Sequence, residues 1–201
     1  MKTVTGLFDN YDDASDAVGE LEASGIPHDA ISIVASNSSE WYDEGDSTKA
    51  ADDATGGAGV GAVIGGAGGL LTGLGLMAIP GVGPVVAAGW LAATAVGALG
   101  GAVVGGAAGG IVGALTDSGV SEKDAHVYAE GVRRGGTLVT AKVDDALAGD
   151  AKRILGQTNS VDLEDRRSTY EAGGWTGFDA GAGNYTTTEI DRDRARNANR
   201  A

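Results

Sequence analysis

Residues 56–84 read GGAGVGAVIGGAGGLLTGLGLMAIPGVGP, with ten glycines ahead of the first proline among mostly apolar neighbours. Gly57, Gly61, Gly65, Gly69 and Gly73 recur every fourth residue, and beyond PGVGP the same spacing returns at Gly97, Gly101, Gly105, Gly109 and Gly113. On a helix, positions four apart stay on one side, so each ladder is a stripe without side chains, against which another backbone can lie. A glycine inside a helix costs about 0.5–1 kcal/mol relative to alanine, so ten oppose helicity by roughly 5–10 kcal/mol. Close packing of small-residue faces is the compensation such a pattern needs. Pro80 and Pro84, around Gly81 and Gly83, break the helix, which predicts a helical hairpin with arms at 54–79 and 85–116.

The whole segment 54–116 contains no Asp, Glu, Lys, Arg or His and holds 21 of the chain's 36 glycines. At about 1.5 Å per residue, arms of this length exceed the ~30 Å hydrocarbon core of a bilayer. Neither arm has a polar face, so lipid or protein has to cover it. The flanks, Asp52, Asp53 and Asp117, lack the Lys and Arg that anchor cytoplasmic ends. Two readings therefore stand: a hairpin in or on the cytoplasmic membrane, or hairpins buried between subunits of a soluble oligomer. The charge-free length favours the membrane.

On either side the chain reads as a small folded domain. Lys2–Phe8 predicts a strand, and Ala14, Ala17, Val18 and Leu21 mark the inner face of a following helix that Gly25 ends. AISIVAS (30–36) predicts a second strand. Past the hairpin, Ser121 and Asp124 form a capping pair for a helix with Ala125, Tyr128, Ala129 and Val132 on one face. TLVTAKV (137–143) predicts a strand, 144–157 a helix with Leu147, Ala151, Ile154 and Leu155 inward, and VDLED (161–165) an edge strand. The organisation is thus 1–36 as the first half of an α+β domain, 37–53 as an acidic linker, 54–116 as the hairpin, and 117–165 as the second half. Residues 166–201 read as a polar, mostly disordered tail. Thr186 and Glu189 could cap one short helix in it, and its alternating acid and base could serve as a docking peptide for an unidentified protein.

The opening TVTGLFDNYDDASDAVGELEASGI (3–26), the turn AIPGVGPVVAAG (78–89) and YAEGVRRGGTLVTAKVDD (128–145) resemble the bacterial heat-induced general stress protein family with its YflT-like domain. The resemblance covers residues 2 to about 165. It implies a ferredoxin-like β-α-β/α-β-α-β domain interrupted by a glycine-zipper hairpin, in a family tied to stress responses. It carries no catalytic or binding residue with it.

Composition narrows the chemistry. There is no cysteine, which removes disulfides, thiol nucleophiles and cysteine-ligated zinc. A net charge of −14 disfavours nucleic acid, whose binding needs clustered Lys and Arg. No apolar run of signal-peptide length precedes Asp9, so the chain is expected to stay in the cytoplasm or on its membrane. The loose dinucleotide matches at Gly57, Gly59, Ala62 and at Gly73, Gly75, Ala78 follow no strand, so no cofactor is expected. His28 and His126 lack a second ligand at metal spacing, Asp43, Glu44 and Asp46 lack the alternation of a calcium loop, and Arg133 and Arg134 suit a helix C-terminus. The reading is a non-enzymatic stress protein that self-associates through the ladders, with membrane lipid as its other partner and the α+β domain on the cytoplasmic side. A soluble assembly is the alternative and a nucleotide-binding enzyme a distant third.

Overall fold

The computed structural model describes residues 1–42, 74–79, 81–92, 94, 110–157 and 159–198. Five strands, β1 (Lys2–Phe8), β2 (Ile31–Ser36), β3 (Gly75–Ile79), β4 (Gly83–Gly89) and β5 (Thr137–Val143), form one sheet in the order β1-β5-β2-β4-β3. Every neighbouring pair is antiparallel. Helices α1 (Tyr11–Ala23), α2 (Ile111–Asp117), α3 (Glu122–Arg133), α4 (Ala148–Gln157), α5 (Leu163–Ala172) and α6 (Thr187–Ala198) complete the order. The α+β class expected from the sequence is the one adopted. β1, α1 and β2 make a split β-α-β unit, because β5 enters between the two parallel strands, as a ferredoxin-like plan requires.

Alternation along the strands builds two cores. Val4, Phe8, Ile31, Ile33, Val139 and Ala141 face α1 and α4. Leu7, Val34, Val85, Ala87 and Leu138 point to the opposite face, beneath α2 and α3. The predicted inner faces are where they were placed: Ala14, Ala17, Val18 and Leu21 on α1, and Ala151, Ile154 and Leu155 on α4, are all buried. Capping follows the sequence too, since the Asp124 N–H donates to Ser121 Oγ at 3.2 Å and Ser121 Oγ donates back to the Asp124 carboxylate at 2.7 Å.

Three expectations change. Where the reading put helical arms, 75–79 and 83–89 are instead paired strands, with Leu76 opposite Val86 and Met77 opposite Val85. An apolar run covered on both faces reads alike as a buried strand or a buried helix, and the four-residue glycine period tipped that reading the wrong way here. The β-branched Val85 and Val86 and the bracketing prolines suit strands better. VDLED is the second change: only Phe8 and Ser160 bridge, the Val161 N–H donates to the Leu7 carbonyl at 2.7 Å, and the chain then enters α5, capped by Asp162. A fourth-strand position beside β1 is thus touched and left.

The third concerns the tail. Residues 166–198 carry most of α5 and all of α6, with Tyr170, Phe178 and Ile190 buried. Isolated apolar residues gave no helical stripe to read, and the ordering comes from long-range ion pairs. Arg166 forks onto Asp9 at 2.7 and 2.8 Å, and Arg167 meets Asp124. The proposed terminal cap is formed: the Thr186 N–H and hydroxyl donate to Glu189 at 2.8 and 2.7 Å. These bonds hold the Glu189 carboxyl below its usual value.

Candidate functional site

Among the predicted association residues, Gly57, Gly61, Gly65, Gly69, Gly73, Gly97, Gly101, Gly105, Gly109 and Pro80 lie outside the described residues. Gly113 is half-buried on α2. Gly81 lies in the turn between β3 and β4 at φ 76°, and Gly83, at φ 99°, and Pro84 open β4 opposite Ile79 and Ala78. Gly75 and Ala78, from one loose dinucleotide match, sit inside β3 and cannot form a strand-to-helix phosphate loop.

What the structure adds is the platform from which the glycine-rich runs depart. Asn37, itself buried, clamps Tyr42 with two hydrogen bonds: Asn37 Nδ2 donates to the Tyr42 carbonyl at 3.0 Å, and the Tyr42 N–H donates to Asn37 Oδ1 at 3.1 Å. The Tyr42 hydroxyl then donates to the Leu74 carbonyl at 3.1 Å, so the run 43–73 begins and ends at one point. Trp41, held by its indole N–H on the Ser36 carbonyl, packs on the Tyr11 ring at 4.6 Å. Trp41 and Leu76 are two of the large apolar side chains exposed among the described residues, at 39% and 42%. The second run is tied similarly, because Leu91 and Ala92 before it and Ile111 and Val112 after it share one core cluster. Gly75, just after the first run, lies opposite Ala87 in the β3–β4 pair, and β4 continues to Gly89 before the second run.

A second feature was missed by sequence reasoning. Glu130 on α3 is fully buried, with Arg134 Nε at 2.6 Å from one oxygen and Arg133 Nε at 3.1 Å from the other. The latter contact is an ion pair off the hydrogen-bond axis. Arg134 continues to Asp193 of α6 at 2.8 Å, and both guanidiniums lie over the Tyr185 ring at 4.8 and 5.0 Å. The i, i+3, i+4 spacing of Glu130, Arg133 and Arg134 was the available signal. Their proximity to the stripe residues Ala129 and Val132 is what makes the cluster buried rather than solvated.

A cleft of about 770 Å³ opens between the β1–α1 junction and α5, lined by Asp9, Asp13, Asp162, Asp165 and Arg166 among others. Three of its four acids are engaged: Asp9 with Arg166, Asp162 with the first N–H groups of α5, and Asp13 with Asn10 and Asn159. Among the described residues no group of three or more His, Cys, Asp or Glu is placed to hold a metal ion. His126 accepts the Phe178 N–H at Nδ1, at 3.0 Å, which is a structural duty.

Burial raises the Tyr11, Tyr128 and Tyr170 phenols above their ordinary 10.0. A raised folded value means that stability is whole below pH 10 and is lost as pH rises towards the folded value. The slope is about 1.4 kcal/mol per pH unit for each phenol still protonated in the fold. The melting temperature is expected to fall steeply above pH 10, and Tyr128→Phe should flatten that fall.

Residues 3–82 carry the heat induced stress protein YflT domain. That span runs from β1 through α1, β2 and β3 to Val82 in the turn. No curated protein and no solved structure matches the chain. The family whose model matches is described as one of heat induced stress proteins.

Proposed function

We propose, from the YflT stress-protein domain at residues 3–82, that the chain is a non-enzymatic stress-response protein that self-associates through its two glycine ladders, in or on the cytoplasmic membrane. The observation that supports this is the β3–β4 hairpin that separates the two uncharged runs in the chain, with Leu74 tied to Tyr42 at its entry. Two side-chain-free stripes presented together let backbones approach closely, with dispersion and Cα–H to carbonyl contacts as the return. The engagement of most of the cleft's acids in caps and ion pairs supports a structural rather than catalytic role for them. The α+β domain would lie on the cytoplasmic side, with partners being copies of itself and membrane lipid.

A soluble homo-oligomer with the runs buried centrally is the second reading, and the length of the second run is what supports it. Among the described residues no helix is long and apolar enough to cross a membrane. With β3 and β4 in the sheet, 54–73 meets the ~20 residues that a span needs, and 93–109 reaches only the lower limit of about 17. A carbonate wash of membranes separates the readings: retention in the pellet supports lipid insertion, and quantitative release as a defined oligomer supports the central bundle. Gly65→Leu with Gly105→Leu is expected to abolish assembly in either setting. An unchanged mass by light scattering would refute the ladders as the association surface.

A further inference from the structure

We propose that residues 173–198 are a detachable clasp, closed over both the β3–β4 turn and the end of α3, whose release frees the hairpin without unfolding the domain. At the turn, a Cβ on Gly81 would stand 2.4 Å from the Ala180 Cα, and one on Gly83 would stand 3.0 Å from the Asn184 side chain. The clasp backbone therefore lies directly on a turn that has room for nothing more. Phe178 is buried in the same cluster as Val82 and Val85. At the other end, Ile190 fills the space over Gly135, where φ is 95° and a Cβ would meet its Cγ2 at 2.4 Å. Arg194 donates to the Gly135 carbonyl at 2.9 Å. One continuous segment thus grips the hairpin and the α3–β5 turn together.

Its hold is concentrated in few places. Between 173 and 198 the buried residues are Phe178, Ile190 and Asp193, and the connecting stretch contains Gly173, Gly174, Gly177, Gly181 and Gly183. Release is cheap for a specific electrostatic reason. When the clasp leaves, Asp193 gains water, Arg134 keeps Glu130 at 2.6 Å, and the two guanidiniums that Tyr185 covered open to solvent, so the remaining positive charge is hydrated rather than left buried. β1, β5 and β2 share no residue with the clasp's contacts on the turn, so they can stay paired while it opens. The clasp does not depend on the self-association reading, although the hairpin it restrains is the one from which both glycine-rich runs depart.

Hydrogen exchange on the full chain tests this. In the unmodified protein at low urea, 187–198 and 75–89 are expected to exchange in step, ahead of β1 and β5. Asp193→Asn should speed both segments by about tenfold, the equivalent of one charge-assisted hydrogen bond, and leave 2–8 and 137–143 unchanged. Faster exchange of 187–198 alone would overturn the coupling, and a uniform rise across all strands would overturn release short of unfolding.

Discussion

Glu130→Ala is expected to lower the stability of the fold by about 3–5 kcal/mol, because it removes the shared partner of two guanidiniums that solvent barely reaches. The Arg133 and Arg134 side chains are only 10% and 16% exposed, and Glu130 not at all. Breaking a buried pair costs more than the pair contributed, since the charges left behind cannot be hydrated in place. Arg134 would keep Asp193, which also pairs with Arg196, and Arg133 would retain the Tyr185 ring. For a chain of this size the loss corresponds to a fall in Tm of roughly 6–20 °C. Glu130→Gln, which keeps the volume and one acceptor, should lie between. A urea midpoint for Glu130→Ala within 1 kcal/mol of the parent would mean that water reaches the cluster in solution.

Gly89→Ala is the second large effect. Gly89 ends β4 at φ 87°, and a Cβ there would stand 2.3 Å from the Ile31 carbonyl oxygen and 2.8 Å from the Ser32 Cα. Both neighbours are backbone of the adjacent strand, so no rotamer change relieves the clash. The left-handed conformation adds about 1–2 kcal/mol for an L side chain and the overpacking about 1–3, giving a loss of about 2–5 kcal/mol. The hydrogen bond from Ser32 Oγ to the Ala88 carbonyl, 2.6 Å, would open with it. Gly19→Ala is the matching control: it lies within α1 with nothing in reach of a Cβ, and should raise stability by about 0.5–1 kcal/mol. Equal midpoints for the two variants in a urea titration would contradict the close approach at β4.

How far these features could be read in advance depends on the range of the interactions behind them. α1 and α4 announce themselves because four inward residues at helical spacing need no knowledge of the partner surface. The caps at Ser121 and Thr186 are equally local. β4 is not, since its place in the sheet is set by β2, whose residues lie 49 to 57 positions earlier. GLMAI and GPVVAAG have no polar face by which either period could be recognised. The order of 166–198 was hidden for a related reason: Arg166, Arg167 and Asp193 find partners at positions 9, 124 and 134, and such pairings leave no trace in a local window. At the candidate site the ladders were plain in the sequence, whereas the stem was not, because a lone Tyr42 gives no hint of the Leu74 carbonyl it meets.

The central strand has a consequence for how the molecule is made. β5 supplies the middle of the split unit, with Val143 opposite Lys2, yet it is the last of the five strands to be synthesised. At about 5–20 residues per second, β1 leaves the ribosome roughly 6–26 s before β5 exists. During that delay Val4, Phe8, Ile31 and Ile33 have no partner strand between them, and the uncharged stretch 54–116 emerges into the same interval. Nascent copies on one messenger can then meet through surfaces that the finished domain covers. A cell producing this chain in quantity therefore needs chaperone capacity during translation that the mature protein no longer requires.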